Sequence, residues 1–146
     1  MPKAVLDTTV LVSALLKPVT GGASYELLRL ADDGAFELYI SKSILEETAD
    51  VLLRRGRIRQ RYRYSDDDVI EYCRELARFA TVVGDVPDVR GVVVRDPNDD
   101  MIIACGLAAD VDFIVTRDKD LLALGQHQKI AMVTPEMFLQ FLRSRT

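Results

Sequence analysis

The sequence predicts a three-layer α/β/α domain with a central parallel sheet. Short β-rich runs alternate with amphipathic helical stretches along the chain, which is the pattern expected of βαβ units. Such a sheet has helices on both faces, so its strands are short apolar runs. The chain has 146 residues, 49% apolar and 29% charged, which is enough for one core without disulfides. We therefore expect one domain over residues 1–146.

Turn and cap residues set the bounds of the predicted elements. The predicted strands, in chain order, are residues 3–6, 36–40, 81–83, 113–115 and 130–133, with a small strand at 92–94 as a further candidate. The predicted helices, each with its cap residue where one is expected, are 10–16, 23–32, 44–54, 65–79, 96–110, 118–124 and the stretch from 134 onward. An Arg-rich connection is expected over residues 56–64.

Particular residues justify the helix starts and stops. The Pro- and Gly-containing segment 18–22 ends the first helix, and Ser65, followed by three acids, begins a later one. Asp96 and Thr134 each precede a proline, which is tolerated at the first helical position. Asp118 opens a short helix in the same way that Ser65 does.

Several classes of protein are excluded by what the sequence lacks. Its apolar runs are far shorter than the ~20 residues of a membrane helix, and Asp7 comes too early for a secretory signal, so we expect a cytoplasmic protein without membrane contact. Cys73 and Cys105 lie far apart in apolar helical surroundings, which favours buried thiols over a zinc cluster. The single histidine, His127, lies in a polar loop, and no glycine-rich phosphate loop is present. After these exclusions, carboxylates are the remaining groups on which catalysis could depend.

Acidic residues fall where predicted parallel strands end. Asp7 follows the first strand and Asp118 follows the strand 113–115. Because ligands of open α/β sheets bind beyond the carboxyl ends of the strands, these acids are expected to converge. Each also has a structural alternative, since Asp7 can be a turn residue and Asp118 a helix N-cap.

Two neighbouring acids open the helix after Asp96. Asp99 is explained as the partner of an Asp96 N-cap, so we discount it as a site residue. Asp100 shares a helical face with Ile103 and is expected to lean toward the sheet edge.

The third predicted helix also carries two adjacent acids. Ser43 and Glu46 match a capping box, which leaves Glu47 on the margin of the core-facing stripe. The acids for which structural roles do not account are Asp7, Glu47, Asp100 and Asp118. Bringing them together costs like-charge repulsion unless a divalent cation lies between them, and oxygen ligands favour Mg²⁺ or Mn²⁺.

A basic segment interrupts this acidic chain. Of the net charge of −4, residues 54–63 contribute +6 and the rest contributes −10. Tyr62 and Tyr64 are interleaved with the arginines, an arrangement that can stack bases and hold phosphates of single-stranded RNA. A solvated loop or a surface that docks a protein partner is the alternative. The residues expected to contact RNA are Arg57, Arg59, Arg61, Arg63 and Tyr62.

Three segments in order resemble the PIN-domain family. They are residues 5–15 (VLDTTVLVSAL), residues 41–52, and residues 95–122, which contain RDPNDD and VTRDKDLL. The resemblance covers nearly the whole chain and is to the branch that supplies the toxins of prokaryotic toxin–antitoxin pairs. It implies a PIN-like fold, a Mg²⁺- or Mn²⁺-dependent ribonuclease, a cognate antitoxin and a homodimer.

The motif match also implies roles for individual residues. The metal-binding and catalytic acids would be Asp7, Glu47, Asp100 and Asp118, with Asp99 as the alternative to Asp100. Residues on supporting positions around them are Thr9, Ser41, Asp99, Thr116 and Asp120. Thr9 stands where the family more often has Asn, so a hydroxyl is kept and an amide is lost.

The function expected from sequence is therefore a metal-dependent endoribonuclease acting on single-stranded RNA as a toxin. One alternative is a phosphatase with Asp7 as nucleophile, although Thr9 stands where its general acid would be needed. The other is an adaptor without catalysis that uses the arginine segment to bind RNA or protein.

Overall fold

In the computed structural model, residues 1–16, 22–84 and 97–145 are described, and their strands form one six-stranded sheet. The strands are Lys3–Leu6 (β1), Glu37–Ser41 (β2), Thr81–Val83 (β3), Phe113–Val115 (β4), Gln126–His127 (β5) and Ile130–Val133 (β6). The helices are Thr8–Leu16 (α1), Ala23–Asp32 (α2), Lys42–Arg54 (α3), Gly56–Arg61 (α4), Asp66–Phe79 (α5), Pro97–Ala109 (α6), Lys119–Leu124 (α7) and Pro135–Arg143 (α8). None of these helices combines the length and apolar character needed to cross a membrane.

The strand order confirms the predicted α/β class. It runs β3-β2-β1-β4-β6-β5, and every neighbouring pair is parallel except the β5–β6 pair, which is antiparallel. The chain builds outward from β1 to β2 and β3, and then returns to β4 on the other side of β1. This reversal makes the carboxyl ends of β1 and β4 the switch point at which open α/β sheets form a crevice.

The core explains why the two central strands are fixed so firmly. Val5 of β1 is paired with Ile114 of β4, and both side chains are fully buried. The helix α6 packs on the sheet closely enough that a Cβ at Gly106 would lie 3.1 Å from Ile114 Cδ1. A methyl group is tight there, so Gly106 allows α6 to approach β4. The crevice at the end of these strands therefore has a rigid base.

Two elements differ from the sequence expectation. The predicted connection over 56–64 contains the helix α4, and the polar loop around His127 contains β5, an edge strand paired with Ile130 and Ala131. Neither element has the regular spacing of apolar residues that predicts a helix or a strand, so each is formed through tertiary contacts. The start of α3 also lies two residues earlier than predicted, at Lys42.

Some expectations fall outside the described residues. These are the Asp96 N-cap, the small strand at 92–94 and most of the break at 18–22. The two cysteines are free thiols, as predicted: Cys105 is buried and Cys73 is half-buried.

Candidate metal centre

A cavity of about 460 Å³ lies where the carboxyl ends of β1 and β4 meet the helices α1, α3, α4 and α6. Its polar lining residues include the carboxylates of Asp7, Glu47, Asp99 and Asp118 and the guanidinium of Arg55. These ionised groups give the lining a formal charge of −3 at neutral pH. Such an excess of carboxylates inside one cavity favours the binding of a cation.

Asp7 is the most deeply placed of these acids, with only 3% of its surface exposed. Its Oδ1 accepts hydrogen bonds from the backbone N and the hydroxyl of Thr9, both at 2.6 Å. The backbone bond is the contact by which an N-cap residue satisfies the second residue of a helix, so Asp7 also caps α1. Thr9, which stands where the family resembled in sequence more often has Asn, therefore fixes the orientation of Asp7 through its hydroxyl.

Thr116 links Asp7 to the opposite side of the cavity. Its fully buried hydroxyl donates to Asp7 Oδ2 and accepts from the backbone N of Asp118 at 2.9 Å. Three protein donors thus bind the Asp7 carboxylate, which offers about four lone-pair positions. One position remains for a ligand in the cavity.

Asp118 combines its structural role with a free carboxylate oxygen. Oδ1 caps α7 by accepting from the backbone N atoms of Asp120 at 2.7 Å and Leu121 at 3.3 Å. Among the described residues, no donor hydrogen-bonds Oδ2. The N-cap alternative is therefore correct for one oxygen only, and the other can face a ligand.

The structure places Asp99, rather than Asp100, at the cavity. Asp99 is 5% exposed and lines the cavity together with Ile102, whereas Asp100 is half-exposed and is not among the lining residues. One carboxylate oxygen from each of Asp99, Asp118 and Asp120 lies within 4.8 Å of the others. Asp100, which the sequence analysis favoured, lies outside this lining, and its role as a ligand stays a prediction. Because α6 is buried continuously over residues 102–106, its sequence does not distinguish a single inward face.

Glu47 rather than Glu46 lies at the cavity, as expected from the sequence, but the capping box on which that expectation rested is not formed. Glu47 lines the cavity, and Glu46 is exposed. The capping box at Ser43 is absent, because the N-cap is Ser41, whose hydroxyl oxygen accepts from the backbone N of Ile44 at 3.2 Å. Glu46 instead lies 3.9 Å from the ammonium group of Lys42, as an exposed ion pair.

Ser41 has structural contacts that explain its burial. Besides capping α3, its side chain hydrogen-bonds the Cys105 thiol, and Ser41 is only 3% exposed. It does not line the cavity. Among the predicted supporting residues, Thr9 and Thr116 contact Asp7 directly, and Asp120 is grouped with Asp118 and Asp99.

The arginines of the basic segment differ in whether they have contacts that stabilise the fold. Arg59 is clamped by Asp66 at 2.6 Å and by the carbonyl oxygens of Leu53 and Tyr64 at 3.3 and 3.4 Å. By contrast, Arg57, Arg61 and Arg63 are exposed. The RNA-contact role predicted for Arg59 thus competes with a structural one.

Among the cavity residues that sequence reasoning did not predict, two belong to the basic segment. Arg55 and Ile58 line the cavity beside the predicted Tyr62. Their spacing of three and four residues places all three on one side of a helix, but that signal appears only if residues 56–61 are assigned to a helix.

The donor set fits a hard divalent cation. The available groups are carboxylate oxygens, which Mg²⁺ and Mn²⁺ prefer. Ligands on opposite sides of a Mg²⁺ ion lie about 4.2 Å apart, so oxygens within 4.8 Å of one another need only small side-chain adjustments. Asp99, Asp118 and Asp120, with Asp7 and Glu47 in the same cavity, are the residues that would hold the ion.

The fold and the acidic cavity define an α/β protein with a carboxylate site at the switch point of its sheet. The family model described as PIN domain matches residues 3–120. The chain therefore belongs to the PIN domain family, whose members are generally nucleases.

One solved structure supports the fold assignment. It is the crystal structure of VapBC2 from Rickettsia felis bound to a DNA fragment from their promoter. The TM-score is 0.62 at 13% sequence identity, and the alignment covers 89% of this chain and 96% of that chain. At this identity the similarity concerns the fold. No curated protein matches the sequence.

Proposed function

We propose that the protein is a metal-dependent endoribonuclease that cleaves single-stranded RNA and acts as the toxin of a toxin–antitoxin pair. The observation that carries the proposal is the cavity in which Asp7, Glu47, Asp99 and Asp118 converge at the switch point of a PIN-domain sheet. We also propose that Asp99 takes the ligand role that the sequence favoured for Asp100, because Asp99 lines the cavity.

The chain's own residues provide orientation and charge in this cavity. Thr9 and Thr116 hold the Asp7 carboxylate from two sides, and the α7 backbone holds Asp118 through one oxygen. A bound Mg²⁺ or Mn²⁺ ion would supply Lewis-acid polarisation of a phosphate and a nucleophilic water at neutral pH. Attack of a water on phosphorus, with the 3′ oxygen as the leaving group, would give products with 5′-phosphate and 3′-hydroxyl ends.

The basic segment supports an RNA substrate. One of its six arginines, Arg55, lines the acidic cavity, and the exposed Arg57, Arg61 and Arg63 are suited to bind phosphates that flank the cleaved bond. Tyr62 lines the cavity itself. The segment therefore attracts the polyanion that the acidic cavity alone would repel.

The partners in this proposal are a cognate antitoxin and a second copy of the chain. The antitoxin is supported by the fold similarity to VapBC2, a protein solved on DNA from the promoter. The homodimer and the cytoplasmic location are expectations that follow from the family resemblance and from the sequence.

The test is metal-dependent cleavage of an end-labelled single-stranded RNA. Protein stripped with a chelator should be inactive, and Mn²⁺ or Mg²⁺ should restore cleavage with 5′-phosphate products. Asp118→Asn should abolish cleavage, whereas Asp67→Asn, an exposed acid on α5, should leave it unchanged. Intact RNA in the presence of metal contradicts the proposal, and hydrolysis of p-nitrophenyl phosphate alone points to the phosphatase instead.

The toxin role needs a separate test in cells. Expression of the wild-type chain should arrest growth, and Asp118→Asn should relieve the arrest at equal protein levels. Growth arrest that persists with Asp118→Asn would contradict a toxin that acts through cleavage.

A further inference from the structure

Besides its carboxylates, the cavity has six apolar or aromatic lining residues, which we call its apolar half. Its apolar and aromatic lining residues are Val12, Leu16, Val51, Ile58, Tyr62 and Ile102. A cation and its carboxylate ligands need no such wall. Pockets of a few hundred Å³ with apolar walls and a few polar groups are typical of sites for one small organic group.

The helix α4 forms one wall of this half. Ile58 lies within α4, Arg55 and Tyr62 are the residues that cap its two ends, and all three line the cavity. The Arg59 clamp fixes α4, since its guanidinium binds Asp66 at 2.6 Å and lies 5.1 Å from the centroid of the Tyr64 ring. The wall is therefore held in place before any ligand binds.

Tyr62 offers a stacking surface in this wall. The Arg61 guanidinium lies over its ring, 5.7 Å from the centroid, which leaves the remaining face for another planar group. Arg55 is the single cationic residue among the lining residues, all of which belong to the described part of the chain. An aromatic ring beside a guanidinium is the combination that binds a nucleobase and its phosphate in single-stranded nucleic acid.

We propose that the apolar half is a binding site for one unpaired nucleobase, which stacks on Tyr62 while Arg55 contacts the adjoining backbone phosphate. This proposal rests on the proposed ribonuclease function and specifies how that substrate is held. A base in a duplex is stacked and paired, so it cannot enter a cavity of about 460 Å³. The site thus selects single-stranded RNA at the position next to the acidic centre.

The test compares a short single-stranded RNA with a ribose–phosphate strand of equal length that lacks bases. Binding is measured by fluorescence anisotropy in the Asp7→Asn background with Mg²⁺, so that cleavage does not interfere. Tyr62→Leu removes the ring and keeps apolar volume, Tyr62→Phe keeps the ring, and Tyr25→Leu on α2 removes a tyrosine that does not line the cavity. Far-UV circular dichroism and melting temperature check that each variant folds.

Tyr62→Leu should weaken RNA binding about 10-fold, equivalent to 1.4 kcal/mol, and leave the baseless strand unaffected. Tyr62→Phe and Tyr25→Leu should bind both strands normally. Arg55→Ala should weaken both strands equally, and by more than Arg57→Ala does, since Arg57 does not line the cavity.

Equal losses on the two strands with Tyr62→Leu, or no loss at all, would overturn the base site. Loss of binding to a purified protein partner with unchanged RNA affinity would also overturn it and assign the wall to protein docking. Because binding is measured without turnover, failure of the base site is distinct from absence of nuclease activity in the wild-type chain.

Discussion

Thr116→Val is the most informative single change, because one hydroxyl joins the two strand ends that form the site. The substitution keeps the shape of a fully buried side chain and removes a donor to Asp7 Oδ2 and an acceptor for the Asp118 backbone N. A hydrogen bond to a charged group contributes about 1.5–3 kcal/mol, and an unpaired buried N–H costs about 1–3 kcal/mol. Allowing for partial compensation by water, we expect a loss of about 2–4 kcal/mol in the free energy of unfolding.

For a chain of 146 residues this loss lowers the melting temperature by roughly 4–16 °C. Thr116→Ser is the matched control, since it keeps the hydroxyl and loses one methyl group, at a cost of about 1 kcal/mol. Urea denaturation followed by circular dichroism measures both variants against wild type. If Thr116→Val is as stable as Thr116→Ser, the hydroxyl does not hold Asp7 and Asp118, and our account of the site is wrong.

Three further predictions concern residues other than Thr116 and its two partners. Glu47→Gln should reduce the rate of RNA cleavage at limiting Mn²⁺ by on the order of 10-fold, because Glu47 lines the cavity. Glu46→Gln, at the exposed neighbouring residue, should change this rate little. Equal losses in the two variants would refute the placement of Glu47 at the cavity. Arg59→Ala should lower the free energy of unfolding, measured by urea denaturation, by about 1–2 kcal/mol because it breaks the contacts that hold α4. Arg57→Ala, at an exposed residue, should change that free energy by less than about 0.5 kcal/mol. Similar values for the two variants would show that Arg59 is not structural. Burial raises the pKa of the Cys105 thiol to about 12, so at pH 8 its thiolate fraction is on the order of one in ten thousand. We therefore expect Cys105 to react with a disulfide reagent only when the protein unfolds. Fast reaction of Cys105 in the native protein would contradict its buried position.

Four strands were predicted well because each is a short run of apolar or β-branched residues. β1, β3, β4 and β6 match the predicted ranges; β1, β4 and β6 are buried or half-buried, whereas β3 is a mostly exposed edge strand. The element α4 was missed for the opposite reason. It contains one apolar residue, Ile58, and its position depends on the Arg59 contacts with Asp66 and two carbonyl oxygens. Contacts between distant residues leave no periodic signal.

The candidate site was predictable in its location and not in every residue. Asp7 and Asp118 could be located because Asp7 directly follows the buried strand β1, and Asp118 comes three residues after the end of the strand β4. The sequence does not decide between Asp99 and Asp100, because α6 is buried on nearly all sides and no single face of the helix stands out as the inward one. The hydrogen bond from Thr116 to Asp7 Oδ2 depends on a three-dimensional contact between residues 109 positions apart.

The central claim is that the acids lining the cavity hold a divalent cation, and the adjacent pair Asp99 and Asp100 tests it most directly. Melting temperature is measured with and without Mn²⁺ for the wild type, Asp99→Asn and Asp100→Asn. At 100 times the dissociation constant, a bound ion adds about 2.7 kcal/mol, which for this chain length raises the melting temperature by roughly 5–11 °C. The account predicts this rise for the wild type and Asp100→Asn and its loss in Asp99→Asn. No rise in the wild type, or a rise that is lost in Asp100→Asn and kept in Asp99→Asn, would contradict it.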